Sequence, residues 1–300
     1  MKNLPFGTST RGTIFALVFA SLLILPLAAQ QPSAAKEQKA TGPQSQTTPT
    51  TPAAKRPPQA KTQQEYADYN TAYAISGGAA MEKAAGDFAA KYPASELRSY
   101  LYSKAMHEYQ SENNPAKMLE TGKKVLALDP DNSIALVLTA NVLADSLNDA
   151  DKDHDQKINE ILKNANHALQ TIDSAFVAPP KATPEEITAY KNTLQSMAHS
   201  ALGIMELKIG DDSGAEKDLK TAADLNKVQP DPYIWYHLAL AQDHQKKYTD
   251  ALVSVDEALH YTGSNPDLGR LAAGERKRLA ELAGGSPTPQ PTPAPPNSPK

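Results

Sequence analysis

The chain has 300 residues, no cysteine, 24 prolines and a formal net charge of -4 at pH 7. The lack of cysteine removes both a thiol nucleophile and a disulfide framework. Lys2, Arg11, Lys36, Lys39, Lys55, Arg56, Lys61 and Lys300 are balanced in the end segments only by Glu37, which leaves 22 basic against 33 acidic residues between 62 and 299. A middle region near -11 has no basic stripe for phosphate contacts, so a nucleic-acid partner is set aside.

The first predicted element is a leader over 1–29. Lys2 and Arg11 precede an apolar run from Ile14 to Leu27, and Ala28-Ala29-Gln30-Gln31 follows, the pattern of a secretory signal peptide cleaved near Ala29 or, alternatively, Ala35. Left uncleaved, about 16 apolar residues would form a short membrane anchor, the one circumstance in which a membrane is a partner. With no cysteine after the run, a lipoprotein anchor is excluded. Residues 30–62 are rich in Pro, Thr, Gln, Ala and Lys, and residues 284–300 read GGSPTPQPTPAPPNSPK; neither stretch can bury a core, so both are expected to be disordered, extended tethers. Proline-rich tracts also serve as ligands for aromatic grooves, although a spacer is the plainer reading.

Between these ends, over 63–283, apolar and small residues recur at helical spacing about every 34 residues. A first, faint copy runs from Tyr66 to Tyr92-Pro93. The next places Tyr102, Ala105, Tyr109, Met118, Val125 and Pro130, with Asn114 set to cap a second helix that Pro115 opens. A third starts at Leu136, Ala140 and Leu143 and resumes at Ile161, Ala165, Ala168 and Leu169 after an insertion. A fourth carries Leu202-Gly203, Gly210, Ala215, Leu219 and Ala222. The fifth, Trp235 to Asp267, is the clearest, with Trp235, Leu238, Ala251, Ala258 and Asn265-Pro266 in place. Beyond it, Leu268, Leu271, Leu279 and Leu282 are predicted on one face of a closing helix, with Arg276, Lys277 and Arg278 turned largely outward.

The fifth copy resembles a tetratricopeptide repeat, whose pattern is W-x2-L-G-x2-Y, A-x3-F and P; Ala239 stands for the glycine, Gln242 for the tyrosine and Val255 for the phenylalanine. The resemblance implies an all-α solenoid of about five helix pairs with a C-terminal capping helix, in which small residues let two antiparallel helices approach closely. It also implies a concave groove lined by the first helix of each pair. The slots fall on Tyr66, Asn70 and Tyr73; Tyr100, Ser103, His107 and Gln110; Val137, Asn141 and Asp145; Met197, Ser200, Ile204 and Lys208; and Tyr233, Tyr236, Asp243 and His244. Tyrosine supplies contact area with a hydrogen-bonding tip, and about half of these tyrosines are expected to pack against neighbouring helices instead. Some family members hold a peptide's terminal carboxylate between lysine and asparagine. Here Asn70 and Asn141 occupy such slots, but Tyr66 and Val137 replace the lysines, so an extended peptide or a folded protein is the expected partner.

One loop stands apart from the repeats. Asp149, Asp151, Asp153, the carbonyl of Asp155 and Glu160 have the ligand spacing of a calcium loop, the only cofactor the sequence suggests. The turn position that calls for glycine is His154, however, and Gln156 takes an apolar slot, which favours an acidic insertion with Asp153 or Asp155 capping the next helix. Catalysis finds no HExxH, GxSxG, P-loop or dinucleotide pattern, Gly77-Gly78 reads as a turn, and His107, His154, His167, His199, His237, His244 and His260 are scattered without ligand pairing. The leading expectation is an exported, non-catalytic interaction scaffold of the periplasm or cell envelope. A calcium-stabilised binding protein and an accessory subunit of an envelope enzyme are the alternatives. Partner identity and oligomeric state are not legible in the chain.

Overall fold

The computed structural model describes residues 55–284 apart from 180 and 264. The leader expected over 1–29, the linker up to residue 54 and the proline-rich segment from 285 lie outside the described residues. Among those residues the structure has helices and no strand: α1 Gln63–Tyr73, α2 Gly78–Lys91, α3 Arg98–Ser111, α4 Pro115–Leu128, α5 Ser133–Ser146, α6 His154–Ala175, α7 Pro184–Lys208, α8 Asp212–Leu225, α9 Pro232–His244, α10 Tyr248–Tyr261 and α11 Pro266–Leu282. No described helix is long and apolar enough to cross a membrane.

The helices group into two compact units, one of residues 58–128 with α1 to α4, the other of residues 55–57 and 129–284 with α5 to α11. Within the first, α2 packs on α1 and α3, α3 packs on α4, and α1 reaches α3. Within the second, each helix packs on its successor, and α5 on α7, α7 on α9 and α9 on α11 also touch. Neighbours in sequence and next-but-one neighbours in contact are the pattern of stacked helix pairs.

The second helices share one register. Counting from the helix start, the third, seventh and tenth following positions are Met81, Ala85 and Phe88 in α2, and Met118, Gly122 and Val125 in α4. They are Ala215, Leu219 and Ala222 in α8, and Ala251, Val255 and Ala258 in α10, and all twelve are buried. Three intra-pair turns are built alike as well. Asn114 N–H donates to Tyr109 O, Asp211 N–H to Glu206 O and Lys247 N–H to Gln242 O, each at 2.9 Å. The residue before each donor is left-handed: Asn113 at φ 52°, Gly210 at φ 82° and Lys246 at φ 63°. This is the usual way a helix end satisfies its last carbonyls before the chain reverses.

Helix starts follow the expected capping chemistry. Asn114 Oδ1 accepts from Lys117 N–H at 3.2 Å with Pro115 opening α4, as the sequence predicts. Thr62, Asn132, Asp211, Asp231 and Asn265 cap α1, α5, α8, α9 and α11, and Thr183 forms a reciprocal capping box with Glu186. Each such cap stabilises by about 1 kcal/mol. Gly77 and Gly78 form the expected turn, and the start of α2 takes its negative partners from α3: Gly77 N–H donates to Glu108 Oε2 at 2.8 Å and Gly78 N–H to Glu112 Oε1 at 2.6 Å.

Helix α11 closes the second unit against α10, but not with the face expected. Leu268, Ala272, Arg276, Leu279 and Ala280 are buried, whereas Leu271 and Leu282 are exposed. Arg276 therefore points inward, contrary to expectation, because its Nε donates to Asp256 Oδ1 of α10 at 2.5 Å; burial is tolerated where the charge is paired.

Helix α7 approaches α8 closely at Gly203. A Cβ placed there would lie 2.6 Å from Leu219 Cγ and 3.2 Å from the Ala215 carbonyl. Alanine in a helix interior otherwise gains about 1 kcal/mol over glycine. Gly203→Ala is expected to reverse that sign and destabilise by about 1–3 kcal/mol through overpacking, read as a lower denaturation midpoint in chemical unfolding.

Candidate partner-binding faces

In the unit of residues 58–128, α1 and α3 present the expected side chains. Asn70 is exposed, while Tyr66, Tyr73 and Tyr100 are half-buried against a core that includes Tyr69, Phe88 and Leu101. Tyr69, which the sequence reading passed over, is 1% exposed and its ring centroid lies 5.5 Å from that of Tyr73. Burial pushes the Tyr69 phenol up, and the phenols of Tyr73, Tyr100 and Tyr66 reinforce the shift. Burial, with Glu108 nearby, likewise pushes Tyr73 up to about 12.

On α3, Tyr100, Ser103, His107 and Gln110 follow one stripe. His107 Nδ1 and Gln110 Oε1 are 3.3 Å apart, and desolvation holds the imidazole below its ordinary range, so it is neutral at pH 7. Between α1 and α3, Lys104 Nζ donates to Ile75 O and to Glu108 Oε1 and lies 5.5 Å from the Tyr73 ring centroid. Despite the desolvation of its site, the Gly77 N–H and the Lys104 ammonium hold Glu108 below the usual carboxylate range.

In the unit containing α5 to α11, the expected face is largely consumed in joining helices. Val137 and Ile204 are buried core, a correction to their placement at a groove. Asn141 Nδ2 donates to Val137 O at 2.8 Å and to Met197 O at 2.9 Å, tying α5 to α7. Ser200 is buried. Lys208 Nζ donates to Ala144 O and Asp145 O at 2.8 and 2.5 Å and to Leu147 O at 3.2 Å, so its cation caps the C-terminus of α5. Tyr233 Oη accepts from Asn265 Nδ2 at 2.8 Å, and Tyr236 packs against the α10–α11 core. Asp243 pairs with Arg278, and His244 Nδ1 lies 2.8 Å from Asp212 Oδ1.

Asp145 of α5 and Asp231, the cap of α9, are strongly perturbed carboxyls of this unit. Desolvation pushes Asp145 up to about 7 against the opposing Lys208, with Asp231 adding to it, and desolvation takes Asp231 to about 6 despite the Tyr233 N–H. His237, a neighbour on α9, is pushed down to about 4 by burial and by Lys208. The sequence carried no sign of these shifts, because the perturbing partners are in other helices.

The acidic loop does not form the expected calcium site. Helix α6 already begins at His154, so Asp155 and Glu160 lie on the helix, where a calcium loop would still be wrapping its ion. Lys157 Nζ lies 2.6 Å from Asp151 Oδ2 and 3.5 Å from Asp153 Oδ1, placing an ammonium beside two of the would-be ligands, while Asp149 and Asp155 are exposed. Asp153 stands at the N-cap position without a side-chain capping bond, and Asp155 lies in the first turn of α6. Among the described residues no group of three or more His, Asp or Glu side chains could hold a metal ion. Histidines instead meet single aspartates: His167 with Asp131 at 2.7 Å and His199 with Asp218 at 2.6 Å.

At the α7–α8 contact, Glu206 is half-buried beside Asp218 and Asp211. Desolvation, then the charges of Asp218 and Asp211 and a hydrogen bond with Asp218, push it up to about 7. The folded state thus holds a proton that the unfolded chain releases above the ordinary carboxylate range. Stability falls as pH climbs from about 4.5 to 7, and the loss is complete above that window. Glu206→Gln is expected to leave the melting temperature unchanged near pH 4.5 and to raise it at pH 8, by on the order of 1 kcal/mol once solvent screening is allowed for. Paired thermal melts at the two pH values check this.

No family model matches the chain, and no curated protein matches it. Among solved structures, a thermophilic TPR protein of Thermus thermophilus is similar, at 17% identity and a TM-score of 0.44 over 70% of this chain and 98% of that one. The assignment comes from the chain's own helix pairs: second helices with one buried register, recurring left-handed turns, first helices in next-but-one contact and a closing helix. By that construction the described residues form an all-α fold of stacked helix pairs.

Proposed function

We propose that this protein is an exported scaffold that binds a protein or peptide partner on the faces of its first helices. The observation that carries the reading is the α1–α3 face, where half-buried tyrosines border a stripe of polar side chains with hydrogen-bonding capacity left over. Tyrosine-rich, partly apolar surfaces with polar tips suit polypeptide recognition. The acidic balance of the middle region disfavours nucleic acid, and the leader-like sequence of residues 1–29 supports a site of action at the periplasm or cell envelope.

The binding faces hold no assembled nucleophile, base and oxyanion site, which supports a non-catalytic role. Lysines remain missing from the slots beside Asn70 and Asn141, and Asn141 spends its amide on Val137 and Met197. A terminal-carboxylate clamp therefore has neither its cation nor its free asparagine in the second unit.

Affinity capture from an envelope extract by the chain without residues 1–29 tests the reading. Tyr100→Ala or Tyr236→Ala is expected to weaken retention of the captured partner by roughly tenfold or more, as for an aromatic hot spot, with circular dichroism confirming that the helices persist. Undiminished retention by both variants would move the site off these faces.

A further inference from the structure

In the unit of residues 58–128, Tyr73 Oη of α1 and Ser103 Oγ and Gln110 Nε2 of α3 are enclosed and unpaired, as are Glu65 Oε1 and, on α4, Thr121 Oγ1. Gln110 as a whole is only 7% exposed. Ser103 and Gln110 lie on one α3 stripe, and Tyr73 of α1 meets the adjoining α3 stripe, where Lys104 Nζ lies 5.5 Å from its ring centroid. Natural folds seldom leave enclosed polar atoms without partners, because each costs stability.

Tyr73, Ser103 and Gln110 can all donate. The acceptor of Gln110, Oε1, is already engaged by His107 Nδ1. Glu65 Oε1, also unpaired, belongs to the start of α1, where its other oxygen takes the Lys61 N–H at 2.7 Å. The face therefore needs an acceptor at Gln110 Nε2, which can only donate, and accommodates acceptors at the hydroxyls of Tyr73 and Ser103, which can donate or accept. It does not ask for anions, since Glu65 and Glu108 flank it and the ammonium of Lys104 is held by Glu108 and Ile75.

An ordinary peptide brings an N–H with every carbonyl, whereas a proline-rich one brings carbonyls and, at each proline, no N–H. Its rings also stack on aromatic side chains, and its polyproline II form loses little entropy on binding. Pro58 and Ala60 are already buried in this unit, Ala60 in the core that Tyr66, Tyr73 and Tyr100 border.

We propose that the face formed by Tyr66, Tyr73, Tyr100, Ser103 and Gln110 binds an uncharged, proline-rich segment of a partner polypeptide, whose backbone carbonyls accept hydrogen bonds from Tyr73, Ser103 and Gln110. Entry requires the half-buried rings of Tyr66 and Tyr100 to turn, which exposes the enclosed donors to the ligand. The proposal rests on reading this face as a binding surface and specifies the chemistry of what it takes.

The probe is a fluorescein-labelled peptide with the sequence of residues 285–300, GSPTPQPTPAPPNSPK, which carries no charged side chain before its final lysine. Titrated with the full chain in fluorescence polarisation, it is expected to bind saturably, and the same peptide with every proline replaced by alanine is expected to bind at least about tenfold more weakly. Tyr73→Phe combined with Gln110→Leu should weaken the proline peptide by about tenfold while the melting temperature holds or rises, because the variant removes unpaired polar atoms and keeps the packing. A merely structural role would move stability and leave affinity alone. Absence of saturable binding, equal binding of the alanine peptide, or unchanged affinity in the folded double variant would overturn the proposal. If Tyr100→Ala releases a captured partner while the proline peptide does not bind, the face remains a binding surface and only this assignment of ligand falls.

Discussion

Close approach of paired helices is the constraint from which the rest of the structure follows. Two helices can pack backbone against backbone only where the facing side chains are small, and Gly203 against Leu219 and the Ala215 carbonyl shows how little room remains. Ala251, Val255 and Ala258 in α10 and Ala215, Leu219 and Ala222 in α8 keep that spacing in step. Once the second helix of a pair is fixed at this distance, its turn must reverse the chain within a few residues. The left-handed residue at Asn113, Gly210 or Lys246 follows from that geometry. The first helices are then free to differ, since their outer faces are not needed to close the pair.

Charge is arranged around helix ends more than around helix faces. Lys208 sits on the last carbonyls of α5, Glu108 and Glu112 on the first amides of α2, and asparagines or aspartates cap α4, α5, α8, α9 and α11. Each group neutralises an end whose backbone would otherwise be unpaired, so these ion contacts do more than exposed pairs such as Lys83 with Asp87. The cost appears where carboxyls crowd. Asp145, Asp231 and Glu206 hold protons at a pH where free carboxyls have lost them, because packing leaves them little water and, at Asp145 and Glu206, other carboxylates close by.

The periodic part of the fold was legible in the sequence because it rests on residue size at fixed intervals. Trp235, Leu238, Ala251 and Ala258 mark one pair, and Leu202-Gly203 with Ala215 another. What was illegible depends on partners distant in the chain. Arg276 reads as a solvated charge until Asp256 is seen one helix earlier, and the 149–160 run, read as an acidic insertion with a calcium loop as its alternative, is placed only when α6 is seen to start at His154. Lys246 gives no hint of its left-handed backbone, since only the turn demands it. On the candidate faces, helical phase groups Tyr66 with Tyr73 on α1 and Tyr100, Ser103 and Gln110 on α3. The same phase misplaced Val137 and Ile204, because α5 is apolar nearly all round and α7 is covered by α5, α6 and α8.

Equivalent slots on first helices have taken opposite courses in the two units, and the contrast bears on function. In α5 and α7, Asn141 finds Met197 O, Ser196 Oγ donates to Ala222 O at 2.7 Å and Lys208 finds three carbonyls, so these groups are spent on holding helices together, while Ser133 Oγ and Glu206 Oε2 are enclosed and unpaired. In α1 and α3, Tyr73, Ser103 and Gln110 are enclosed with donors unspent. Packing alone favours the first arrangement, and substitution of Tyr73 by phenylalanine or Ser103 by alanine would reach a comparable core without the unpaired groups. A chain that keeps three such groups unpaired on one helix pair forgoes stability there, and a ligand that supplies their partners would recover it on binding.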